Sequence, residues 1–212
     1  MPSPLEFQET RTTQTQQLIK QHPFACIVGH TQKGLIATHI PLLQKDDNTL
    51  LGHMAVSNDV YLYAEDGQEV MVIVQGVEGY ISANDYPSKA LDHRKVPTWN
   101  YQVMYIHGKI KFLNEQKVKL AALGKLTQQQ EQKTNGEAAW RMADAPRDYM
   151  LGLLDDLVVC EIHIQNIEMI SKLSQDKSAH DQAGVIQALT QRGNTKLAQT
   201  MQAANKNPSN EG

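Results

Sequence analysis

Read for the spacing of its apolar positions, the chain opens with a polar segment, Thr12 to Gln21, that carries Leu18 and Ile19 near its end and predicts a short helix. His22-Pro23 stops it, because the residue before a proline avoids the α region. The run PFACIVGH, the turn Gln32-Lys33-Gly34 and the run GLIATHIPLL predict a β-hairpin. Asp46-Asp47-Asn48 makes the next turn, TLLGHMAVS a third strand, and NDVYLYAED a brief helix with Asn58 or Ser57 as its N-cap. EVMVIVQ and VEGYISA are the most β-branched part of the chain, and Gly76 between them predicts a bend or bulge. Asn84 to Pro97 is polar, holds two prolines and predicts a loop. WNYQVMYIHGKIKFL follows as a long alternating strand.

From Glu115 the period changes. EQKVKLAALGKLTQQQEQK is rich in helix formers, and Val118, Ala121, Ala122 and Leu126 recur near the 3.6-residue helical spacing. Pro146 is placed to open a helix over APRDYMLGLLDD, and LVVCEIHIQNIEMISKL returns to strand character. GVIQALTQRG and TKLAQTMQ predict one or two polar helices. The order is that of a mainly β, α+β chain, a closed antiparallel barrel with peripheral helices; it lacks the strand–helix alternation a parallel sheet needs. The expected organisation is a barrel domain over residues 1–178, a helical segment over 179–204 and a disordered tail over 205–212.

Composition narrows the setting. The 212 residues carry 20 Lys+Arg against 23 Asp+Glu, a net charge of -3, which argues against an extended phosphate-binding surface. No run of about twenty apolar residues exists to span a membrane. The first residues show no basic region followed by an apolar core, so no secretory signal is expected. Cys26 and Cys160 each lie in an apolar run. A disulfide between them is one reading, and two buried thiols in a reducing cytoplasm is the favoured one.

Candidate chemistry is sparse by motif. The eight histidines are scattered, with no HExxH and no cysteine at ligand spacing, so no metal site is expected. No nucleophile elbow, Walker loop or GxGxxG occurs. Polar residues instead interrupt strands: Thr38-His39 in IATHIPLL, Gly52-His53 in LLGHMA, and Thr98 to Gln102 at the start of the long strand. A solvent-facing side accounts for part of this pattern. The rest suggests a crevice offering hydrogen bonds to a planar polar ligand.

These segments carry a resemblance. IATHIPLL, GHMAVSN, VQGVEGYIS, KVPTWNYQVMYIHG and SKLSQDKSAHDQAGVI stand in the order seen in the PaiB-type FMN-binding transcriptional regulators, from about residue 22 to residue 192. VPTWNY with its downstream HG, and KLSQxK, are the specific parts. The resemblance implies an FMN-binding split β-barrel, related to the pyridoxamine phosphate oxidases, that dimerises with flavin at the subunit interface. It implies cofactor contacts from Thr38, His39, His53, Ala55 and Asn58, with Tyr101, Gln102, Lys172, Ser174 and Lys177 reaching the flavin from the partner subunit. Trp99 either packs in the core or flanks the flavin. Lys172 and Lys177 lead as phosphate ligands, with Ser174 and Thr38 as neutral donors.

The chain departs from the family pattern in GVEGYISANDY, and Asp59 stands where a proline is usual. Haem is the alternative cofactor of the wider split-barrel group. A flavin-dependent oxidoreductase of a small substrate, or a haem-binding or haem-degrading protein, is the alternative to a regulator or sensor. The tail holds no basic recognition helix, so any action on DNA is expected to be indirect.

Overall fold

Alternation of inward and outward side chains builds the central sheet. The computed structural model describes Phe7 and residues 12–206. Six strands, β1 (Phe24–Thr31), β2 (Gly34–Asp46), β3 (Thr49–Ala55), β4 (Glu69–Ile81), β5 (Thr98–Leu113) and β6 (Leu157–Lys172), close a barrel in the order β1-β2-β3-β6-β5-β4. The helices are α1 (Thr12–Gln21), α2 (Asp59–Tyr63), α3 (Lys89–Asp92), α4 (Gln116–Asn135), α5 (Arg147–Leu153), α6 (Ala179–Gln191) and α7 (Thr195–Lys206). The split-barrel reading of the sequence therefore holds. Gly76, expected to mark a bend or bulge, lies within β4 where the buried positions shift from Val70, Val72 and Val74 to Gly79 and Ile81. The expected loop before Pro97 contains α3. Asn205 and Lys206, placed by sequence in the tail, end α7, and residues 207–212 lie outside the described residues.

Two compact units divide the chain. The larger comprises Thr12–Val74 and Tyr105–Ile167. Within it Ile27 of β1 pairs with Thr38 of β2 and with Val72 of β4, while Leu50 and Gly52 of β3 pair with Ile162 and Cys160 of β6. Ile27, Leu42, Leu50, Ile106, Ile110 and Ile162 are fully buried inside the barrel. Each contributes on the order of 1.5–3 kcal/mol of burial free energy. Gly108 permits close strand contact there, since a Cβ would sit 2.5 Å from the His163 carbonyl oxygen. On the outer surface α4 covers Leu43, Leu51 and Val159 with Ala122 and Leu126.

Among the described residues the smaller unit comprises Phe7 and residues 75–104 and 168–206. Its core is Ile81, Tyr86, Leu173, Val185, Leu189, Leu197, Ala198 and Met201, contributed largely by α6 and α7. Two buried acids fasten α6 and its C-terminal end to the chain around α3. Asp181 accepts from the Ser88 backbone N–H and hydroxyl and pairs with Lys95, and Arg192 forks onto both oxygens of Asp85 at 3.0 and 2.7 Å. Asp181 is held below the usual carboxylate range: burial opposes this, but the Ser88 donors and Lys95 together outweigh it.

Candidate functional site

In the larger unit the site grows from the start of α2. Asn58 caps that helix, its Oδ1 accepting from the Val60 N–H at 2.9 Å. Its Nδ2 donates to Thr38 Oγ1 at 2.7 Å. One side chain therefore fixes both α2 and β2. Asp59, in the first turn of α2, is exposed where a carboxylate favours the helix dipole.

Strand geometry sends successive side chains to opposite faces. Thr38, opposite Ile27, faces the interior side, whereas His39, opposite Cys26, faces out and stacks on Phe24 with ring centroids 5.8 Å apart. His53 and Ala55 lie on the outer face of β3 with Leu51, two and four residues along. The Nδ1 of His53 is buried with no hydrogen-bond partner, and burial pushes the imidazole pKa below its ordinary value. His53 is thus a neutral imidazole with one nitrogen still to be satisfied.

Beside His39 runs an uncovered apolar surface. On the outer face of β2, β1 and β4, Leu35 (76% exposed) and Phe24 (65% exposed) stand with Ala37, Val28, Met71 and Ile73. Contiguous apolar area of this kind is uncommon on a surface that stays in water.

In the smaller unit the expected residues fall into two groups. Gln102 and Ser174 are buried and bonded across β5 and β6: Gln102 Nε2 donates to Ser171 Oγ at 2.9 Å, and Asn100 Nδ2 donates to Ser174 Oγ, also at 2.9 Å. Ser174 adopts a left-handed backbone (φ 64°) in a turn tied by Gln175, which accepts from the Leu173 N–H and donates to the Ser171 carbonyl. Trp99 and Tyr101 alternate with these buried residues along β5. Trp99 is 53% exposed, edge-on to the equally exposed Tyr80 at 6.0 Å. Lys172 donates to Thr98 Oγ1 and lies 5.9 Å from the Phe7 ring, and Lys177 pairs with Asp176.

Sequence reading passed over three of these residues. Phe24 and Tyr80 sit in quoted motifs, but nothing in their spacing shows which aromatic stays uncovered. Asn100 stands within PTWNY, and only the folded structure reveals it as the partner of Ser174, in the turn after β6. Among the described residues no cluster of three or more His, Cys, Asp or Glu could hold a metal ion.

Comparison with known proteins places these features in context. The family model described as "Putative FMN-binding domain" matches residues 1–166. The protease synthase and sporulation protein PAI 2 of Bacillus subtilis is 28% identical over 199 residues, covering 92% of both chains. A FAD and heme binding protein from Mycobacterium smegmatis has a similar fold, with a TM-score of 0.60 at 15% identity, over 83% of this chain and 78% of that one. The flavocytochrome Anf3 from Azotobacter vinelandii matches with a TM-score of 0.59 at 10% identity, over 84% and 75%.

Proposed function

Since the chain belongs to the FMN-binding domain family, we propose that it is a homodimeric, cytoplasmic flavin-dependent regulator or sensor whose FMN lies against the outer face of the barrel at the subunit interface. FMN is the cofactor, and the residues fit it. The observation that carries the reading is the orphaned Nδ1 of His53. A buried polar atom without a partner is costly, and a ring nitrogen or carbonyl of a flavin supplies one. Thr38, on the opposite side of β2, and Asn58 hold the start of α2 in place beside the site. Bound FMN supplies reversible redox chemistry to the site. The chain's own part is to orient the cofactor through His53, with Asn58 and Thr38 fixing the neighbouring backbone, and to exclude water with the apolar face beside His39.

The apolar face of Phe24, Val28, Leu35 and Met71 supports the dimer, because a two-fold interface covers the same patch on both subunits. The two free thiols, Cys26 and Cys160, suit a reducing compartment, and burial pushes the Cys160 thiol up to about 12, which leaves it unreactive. No helix among the described residues is long and apolar enough to cross a membrane. Helix α6 carries no lysine or arginine and α7 only Lys196 and Lys206, which favours an indirect effect on transcription over groove recognition.

Val28→Lys tests the interfacial site, since it charges the outer face and leaves the barrel interior untouched. The variant is expected to run as a monomer by light scattering and to lose FMN affinity in a fluorescence-quenching titration. A folded monomer with unchanged FMN affinity would place the flavin within one subunit and end this reading.

A further inference from the structure

A groove between α4 and the outer face of β2, β3, β5 and β6 encloses about 420 Å³, within the range of small-molecule sites. Its floor is apolar: Leu51 and Leu113 from the sheet, Val118, Ala121 and Ala122 from the helix. Its rim is cationic, with Lys45, Lys117 and Lys125. We propose that this groove is a second ligand site, which binds a small amphipathic carboxylate with its alkyl chain along the floor and its anionic head among the rim lysines.

The helix surface is built to leave the space open. Residues 117, 121 and 125 follow one another at four-residue intervals, so Lys117 and Lys125 flank Ala121 on one edge of α4. A larger side chain at 121 would obstruct the groove, and alanine leaves that edge open. Glu161, the one acid in the lining, accepts from Lys45 at 2.7 Å. That leaves Lys117 and Lys125 without an answering charge in the lining. Exposed like charges held near an apolar slot favour an anion with a hydrocarbon body. The lining contains no aromatic ring on which a base or a flavin could stack, so an extended alkyl chain fits better than a nucleotide.

Decanoate below its micelle concentration serves as the probe, titrated calorimetrically into the full chain as purified, at low salt. The expected result is saturable binding that weakens as salt rises, with decanol bound at least about ten-fold more weakly. The Lys117→Ala/Lys125→Ala double variant is expected to lose about ten-fold in decanoate affinity, and Ala121→Trp to weaken binding by obstructing the groove. If Ala121→Trp does not fold, as judged by its thermal melt, the lysine double variant decides. Absence of saturable binding, equal affinity for decanol, or an unchanged double variant would overturn the proposal. Release of flavin in step with decanoate uptake would also overturn it, because the groove would then belong to the cofactor. None of the binding readouts requires flavin, so the proposal fails or stands separately from the FMN reading.

Discussion

At the scale of single residues, Asn58 does two jobs with one amide, capping α2 and holding the Thr38 hydroxyl. Its capping role is legible in the sequence, since an asparagine before a short helical run is an N-cap signal. The roles of Gln102 and Ser174 are not legible in the same way. A polar side chain lining a crevice and one bonded to another segment leave the same mark in a sequence, and only the folded partners, Ser171 for Gln102 and Asn100 for Ser174, distinguish them. His53 yields a pH prediction. Its pKa is lowered by burial from an ordinary value of 6.5, so the unfolded chain binds the extra proton first. The neutral imidazole therefore stabilises the fold fully above about pH 6.5, and that contribution is lost as the pH falls below it. Thermal melts from pH 8 down to 5 should show a slope that His53→Phe removes; an identical slope in the variant would show that His53 is not its source. Lys172 gives a second test. If it reaches the FMN phosphate, Lys172→Ala should weaken FMN about ten-fold or more and riboflavin little, as expected for a charge-assisted hydrogen bond of roughly 1.5–3 kcal/mol. Equal losses for the two flavins would return Lys172 to its observed role beside Thr98.

At the scale of elements, hydrophobic periodicity located nearly every strand and long helix, because alternation and 3.6-residue spacing are local properties. Gly76 lies within β4 where the buried positions change phase, from Val70, Val72 and Val74 to Gly79 and Ile81, as an irregularity at a strand glycine would produce. Packing overrides local preference at Gly184 of α6. Helix propensity alone predicts that Gly184→Ala stabilises the chain by about 1 kcal/mol. The added Cβ, however, would lie 2.4 and 2.5 Å from the Pro87 ring and 2.7 Å from the Asp85 carbonyl oxygen. Overpacking of this kind costs about 1–3 kcal/mol, and part of it falls on the segment that Arg192 and Asp181 anchor. Chemical denaturation should show the variant to be less stable; a gain in stability would mean that the segment yields at little cost.

At the scale of the whole molecule, the barrel and its flavin followed from the order of motifs along the chain, and the family match bears both out. The apolar face of β1, β2 and β4 could not be foreseen, because alternation marks two faces on every strand without saying which one a helix covers. Helix α4 covers Leu43, Leu51 and Val159 and leaves Phe24, Val28 and Leu35 exposed. The proposed dimer, with cofactor on the uncovered side, rests on that division. The central claim, that this barrel carries FMN, is tested most directly by the visible absorption spectrum of the freshly purified protein. The account predicts flavin bands whose chromophore, released on denaturation, is FMN. A Soret band in their place, or a colourless protein that stays colourless after incubation with FMN, would contradict it.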